Sequence, residues 1–338
     1  MKVRNVAKLA LILVFVVLGM VGEQTQSQAV TRHKVVWQSK VGDETQIFMM
    51  DLDNPTAPKQ LTKVENGAKH PTIASSASRL YYYRFYPTKW GDGDQLCYMD
   101  LPDGQEFLVQ RNAIHFEHDP CVSRDGKVLA YCSKQTLSGE YGTDNWEIIL
   151  LKTDFSEEKR ITNEINEDMY PFPSGDGSRV YYTIEVTKDR TETEKKALRD
   201  EAKEKDEKLD EESDEFLKKQ LYFIYRNTFA ADNLERITPR DYNAWHPSVN
   251  ASEQWMVFQS TMDGNDEIYL MDLSTFEVTR LTQNDGYDGN PCISSDGSVI
   301  VFVSDRDGDK EVFSMDREGK NLVQLTDNDV EDDNPFIT

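Results

Sequence analysis

From Val35 onward the chain alternates short apolar runs with turns rich in Asp, Gly, Ser and Asn. Several runs, among them Val299-Ile300-Val301-Phe302-Val303, Leu80-Tyr81-Tyr82-Tyr83 and Val180-Tyr181-Tyr182, are apolar at every position. A sheet with one wet face would alternate apolar and polar residues, so these runs predict strands covered on both sides. The Asp296-Gly297 and Asp307-Gly308 pairs suit tight turns that need a positive backbone angle. The last complete unit reads as four strands, over Pro291 to Ser294, Ser298 to Ser304, Glu311 to Asp316 and Leu322 to Thr326.

This unit is a repeat. His246-Pro247 through Arg280-Leu281-Thr282 and Asn290-Pro291 through Gln324-Leu325-Thr326 superpose at an offset of 44 residues. The opening proline recurs at Pro71, Pro120, Pro171, Pro247, Pro291 and Pro335, with one long interval between Pro171 and Pro247. That interval contains a Glu/Lys/Asp-rich block from Thr191 to Lys218. Removing it restores a period suited to four-stranded propeller blades. Lys34 to Ser39 reads as a second strand with no first strand before it, and Asn334 to Thr338 as a first strand with no second after it. The expected fold is therefore all-β: a six-bladed propeller of four-stranded antiparallel blades over residues 30–338, closed by the C-terminal strand.

The block at 191–218 is expected to be a charged helical insertion within blade 4. Glu192 and Lys196, Glu201 and Lys205, and Glu204 and Lys208 stand at i,i+4 spacing, while Leu198, Ala202, Leu209 and Phe216 make one thin apolar stripe. Because the flanking strands are hairpin neighbours, a bent or two-part helix suits the return better than one rod.

Lys2, Arg4 and Lys8, the apolar run Leu9 to Val21, and Ser27-Gln28-Ala29 form the layout of an export signal, with cleavage expected after Ala29. The run is shorter than the roughly 20 residues that span a bilayer. The expected location is periplasmic or secreted, with no stable membrane span after cleavage. Cys97, Cys121, Cys132 and Cys292 would then enter an oxidising compartment, but their spacing selects neither free thiols nor any one of three pairings. A formal net charge of −23 repels phosphate backbones and argues against nucleic-acid binding. The sequence leaves oligomeric state open.

The residues before the opening prolines, His70, Asp119, Tyr170, His246, Asn290 and Asn334, occupy equivalent places, with His118, Trp245 and Asp333 beside them. If first strands line the central channel, these side chains ring one mouth. There they could bind a small ligand or, through His70, His118 and His246, a divalent metal ion. Polar residues that merely begin strands and hydrate the channel would look the same. The acidic turn Asp305 to Glu311 invites a calcium reading, yet its recurrence at Asp263 to Glu267 and Gly91 to Asp94 marks it as a turn signature. No G-x-S-x-G, H-E-x-x-H, P-loop or G-x-G-x-x-G motif is present.

The S-x-D-G, V-F-x-S-D-R-D-G, E-(I/V)-(Y/F)-x-M-D and Q-L-T phrases resemble the repeats of TolB-type six-bladed propellers, most strongly from His246 to Thr338. The resemblance is to the propeller alone, without the N-terminal domain of that family. It implies a periplasmic, non-enzymatic interaction protein of the cell envelope that binds a protein or peptide. The alternative is a metal-dependent carbohydrate-active enzyme, a lyase or glycan hydrolase with its site in the channel, by fold-level analogy with polysaccharide-lyase propellers.

Overall fold

A computed structural model describes residues 33–53, 57–88, 91–101, 103–109, 117–134, 145–163, 166–205, 208, 210–213, 217–239 and 242–338. The expected signal and its cleavage point lie outside these residues. Described strands form six four-stranded antiparallel sheets, each joined edge to edge in sequence order except at the closure. There the final strand, Asp332–Ile337, is innermost in the sheet of Lys34–Val41, Glu44–Asp51 and Lys59–Gln60, with Val35 opposite Ile337 and Val36 opposite Phe336. Each inner strand touches the next around the ring, and the last touches the first.

The uniformly apolar runs are the second strands, as at Val128–Ser133, where every residue is buried. Blade faces pack on blade faces, so both sides of these strands leave water. Tyr82, Tyr131, Tyr181, Tyr182, Tyr269, Phe258 and Phe302 are the largest fully buried side chains. Their burial supplies the hydrophobic term that offsets backbone ordering.

A hairpin turn follows each inner strand, and these turns bond around one end of the ring: Ser75 N donates to Arg124 O, Asp125 N to Gly175 O, and Ala251 N to Ser295 O. Gly175 is required by proximity, because a Cβ there would meet Ala251 O at 2.5 Å. All four cysteines are free and buried.

The insertion springs from blade 4. Arg179–Asp189 and Lys218–Thr228 form a long hairpin, paired out to Asp189 and Lys218. A helix follows over Glu192–Glu204, capped by Thr191 in a reciprocal box with Glu194. Glu201 and Lys205 pair at 2.8 Å as the spacing suggested, but Glu192 pairs with Lys195 and Lys196 with Asp200. Arg199 reaches Glu211 beyond the helix at 2.8 Å. Ala202 is buried and Leu198 half-buried, whereas Leu209 and Phe216 lie outside the described residues. Among the described residues no helix is long and apolar enough to cross a membrane.

Candidate functional site

The six residues before the opening prolines share one backbone device. His70, Asp119, Tyr170, His246, Asn290 and Asn334 all have φ between 49° and 54°, in the left-handed region. At each, the pairing of the inner strand with its neighbour slips, as between Met169 and Phe172 or Trp245 and Ser248. A bulge of this kind turns a side chain out of the sheet. Here it turns six side chains into the channel, where with their prolines they line a cavity of about 100 Å³. In two blades a glutamine from the adjacent blade holds the bulge: Gln38 Oε1 accepts from His70 N and Gln259 Oε1 from Asn290 N.

Four of the six, His70, Asp119, Tyr170 and His246, make one side of the ring ionisable. Asp119 sits between two imidazoles, its Oδ1 2.5 Å from His70 Nδ1 and its Oδ2 2.8 Å from His118 Nδ1. Burial opposes the Asp119 charge, but the two histidines outweigh it and hold the carboxyl well below its usual range. Burial likewise opposes protonation of His70, and Asp119 overcomes it, raising the imidazole above its ordinary value. His246 lacks such a partner, and burial drives it down to about 4, so it is neutral at pH 7. It stacks on Tyr170 with ring centroids 3.7 Å apart. Tyr83 packs beside His70, and Trp146 stands edge-on to His118.

The other side is neutral amide and bound carboxylate. Asn290 Nδ2 donates to Asp333 Oδ1 at 2.6 Å, the Asn334 backbone N–H donates to the same oxygen, and Lys310 lies 3.7 Å from Asp333 Oδ2. His118, Trp245 and Asp333 are not among the cavity-lining residues. His118 and Asp333 anchor residues that are, and Trp245 packs on Tyr222 of the blade 4 hairpin. The insertion and the ring share a face of the propeller. Inner strands begin where second strands end, Glu167 opposite Glu185, and the long hairpin continues outward from that end.

Beyond the prolines the cavity is lined by Cys121, Phe172, Cys292 and Phe336. Phe172 and Phe336, from opposite blades, stack at 6.0 Å. Arg124 does not line the cavity but packs on its two phenylalanines. It is buried, lies over both phenyl rings, and donates to Ile293 O and Ile337 O on the far side. The sequence-level signal was an arginine in a turn position that is Ser75, Gly175, Ala251 or Ser295 in other blades.

For a metal, the described residues offer one compact donor set: His118, Asp119 and the Cys132 thiol, whose ligand atoms lie within 4.8 Å of one another. His70 also contacts Asp119, while His246 belongs to the Tyr170 stack instead. A thiolate beside imidazole and carboxylate suits zinc better than harder ions.

Residues 216–338 match the model of the TolB beta propeller domain. No curated protein sequence matches the chain. Among solved structures, TolB from Acinetobacter baumannii aligns with a TM-score of 0.66 at 17% identity, covering 90% of this chain and 66% of that one, just under two thirds of its length. An oligogalacturonate lyase in complex with manganese aligns at 0.53 and 15% identity, covering 86% of this chain and 73% of that one. A chain from a nidogen/laminin complex aligns at 0.58 and 10% identity, over 90% and 98% of the respective chains. At these identities the likeness is one of fold. The chain is thus a six-bladed β-propeller whose residues 216–338 match the TolB beta propeller domain model.

Proposed function

We propose that this propeller is an exported, non-enzymatic platform of the cell envelope that seats a segment of another protein on the face bearing the ionisable half-ring and the blade 4 insertion. One observation carries the reading: His70, Asp119, Tyr170 and His246 converge on the channel mouth from left-handed positions that Asn fills in the other two blades. Ionisable and aromatic side chains gathered at one mouth offer a partner both charge and stacking surface. A pocket of about 100 Å³ reaching Phe172 and Phe336 suits an inserted side chain or chain end better than a polymeric sugar. The experiment is affinity capture from an envelope fraction, with the chain lacking 191–218 run in parallel. A protein retained by the wild type and lost with Trp245→Ala supports the platform. Retention unaffected by either change removes the mouth face from consideration.

A second reading, a metal-dependent carbohydrate-active site, rests on the His118, Asp119 and Cys132 grouping. Metal analysis of the purified chain discriminates the two. A stoichiometric transition metal lost in His118→Ala favours the second reading, and a metal-free chain that still captures its partner favours the first.

A further inference from the structure

Three of the blade junctions set a buried glutamate at the start of a third strand against a buried aspartate near the start of the next inner strand: Glu147 with Asp168, Glu267 with Asp288 and Glu311 with Asp332. Between blades 5 and 6 these are Glu267 and Asp288, both fully buried and both neutralised. Arg280 Nη2 donates to Glu267 Oε1 at 2.8 Å, and Asn265 Nδ2 donates to the same oxygen. Thr282 Oγ1 donates to Glu267 Oε2. Arg306 Nη2 lies 3.0 and 2.9 Å from the two Asp288 oxygens.

At the ring closure, between blades 6 and 1, the equivalent carboxyls are Glu311 and Asp332, each 1% exposed. Of these four donors the two arginines and the amide are gone, and Thr326 remains at the place of Thr282. Gln324 replaces Arg280 and contacts Asp307 as Arg280 contacts Asp263; Asp309 replaces Asn265; Val41 stands where blade 6 has Arg306. Asn328 serves one oxygen of each, its N–H to Glu311 Oε1 and its amide to Asp332 Oδ2. Glu311 Oε2, Asp332 Oδ1 and Asp309 Oδ2 are buried and accept no hydrogen bond. Burial, with the neighbouring Asp332 carboxyl adding to it, pushes Glu311 up to about 7. The nearby lysines are engaged elsewhere, Lys40 with Glu331 and Lys310 with Asp333.

Two facing carboxyls without a counter-charge, beside a third carboxylate where a sister junction carries two arginines and an amide, mark a place for a cation. We propose that a hard divalent cation, calcium by its all-oxygen donor set, bridges Glu311 of blade 6 and Asp332 of the closing strand and so ties blade 6 to blade 1.

The test is thermal unfolding of the full chain in calcium chloride against chelator. Calcium in the millimolar range, typical of extracellular modules, is expected to raise the midpoint by about 2–4 °C, increasing with concentration. In the Glu311→Gln plus Asp332→Asn variant this response is expected to vanish. If that variant does not fold, Gln324→Arg serves: restoring the arginine of blade 5 should raise the midpoint in chelator and abolish the calcium response. Equal midpoints in calcium and chelator overturn the proposal, as does a response that survives Gln324→Arg. A midpoint insensitive to calcium that falls as pH rises through neutrality also overturns it, and gives the bridge to a shared proton.

Discussion

The two halves of the channel mouth are built on the same backbone and differ in chemistry. Asn290 and Asn334 sit in the left-handed conformation at little cost, since a short amide bonds locally. His70, Tyr170 and His246 sit in the same conformation at φ 50°, 54° and 52°, Tyr170 without that advantage. A fold that needed only the bulge would be served by Asn throughout. The excess in one half is ionisable and aromatic, gathered around Asp119, and it faces the same side as the charged insertion. The comparison separates what the bulge needs from what the mouth offers a ligand.

The largest effect is expected where both halves share a support. Arg124→Ala leaves Ile293 O and Ile337 O without their buried donor and strips the cover from Phe172 and Phe336. A loss of about 4 kcal/mol in urea unfolding is expected, with the channel opened below. Asp119→Asn converts the anchor of the ionisable half into the chemistry of the other half. Leaving His70 and His118 without their carboxylate should cost about 3 kcal/mol at pH 6, where Asn334→Asp in the neutral half should cost less.

Acid should separate the halves further. His246 has its folded value lowered to about 4 from 6.5, so the unfolded chain binds the proton first. Its contribution is present above pH 6.5 and declines as pH falls toward 4, by roughly 2 kcal/mol after allowance for partial exposure. His246→Asn should remove that decline from a pH series of unfolding midpoints. His70 acts oppositely: its raised value makes its contribution full below pH 6.5 and lost as pH rises through the folded value. Asp119, held low, contributes above pH 3.8 and fails only in stronger acid. The smallest effect is conformational. Asn334→Ala should cost about 1 kcal/mol and Asn334→Gly under about 0.5 kcal/mol, because only glycine matches Asn in the left-handed region.

The blades, their closure and the equivalence of the pre-proline residues were legible because repetition exposes them. Pro335-Phe336-Ile337 reads as an inner strand only when set against Pro291-Cys292-Ile293. Arg124 was not legible in role, because its partners Ile293 and Ile337 lie 169 and 213 residues away and across the axis. The His70–Asp119–His118 arrangement needed three dimensions too: the sequence places the residues on one ring, while which carboxylate oxygen meets which imidazole depends on the bulge. Similarly, Gln324 looks like an innocuous member of Q-L-T until its equivalent, Arg280, is seen holding Glu267.

The central claim is that the ionisable half-ring serves recognition and the bulge alone serves the fold. The most direct measurement makes the halves alike. His70→Asn plus His246→Asn keeps residues that the left-handed positions accept, and partner capture from the envelope fraction is compared with wild type at equal thermal stability. The account predicts an intact fold that no longer retains the captured protein. Undiminished capture by that folded variant would contradict it.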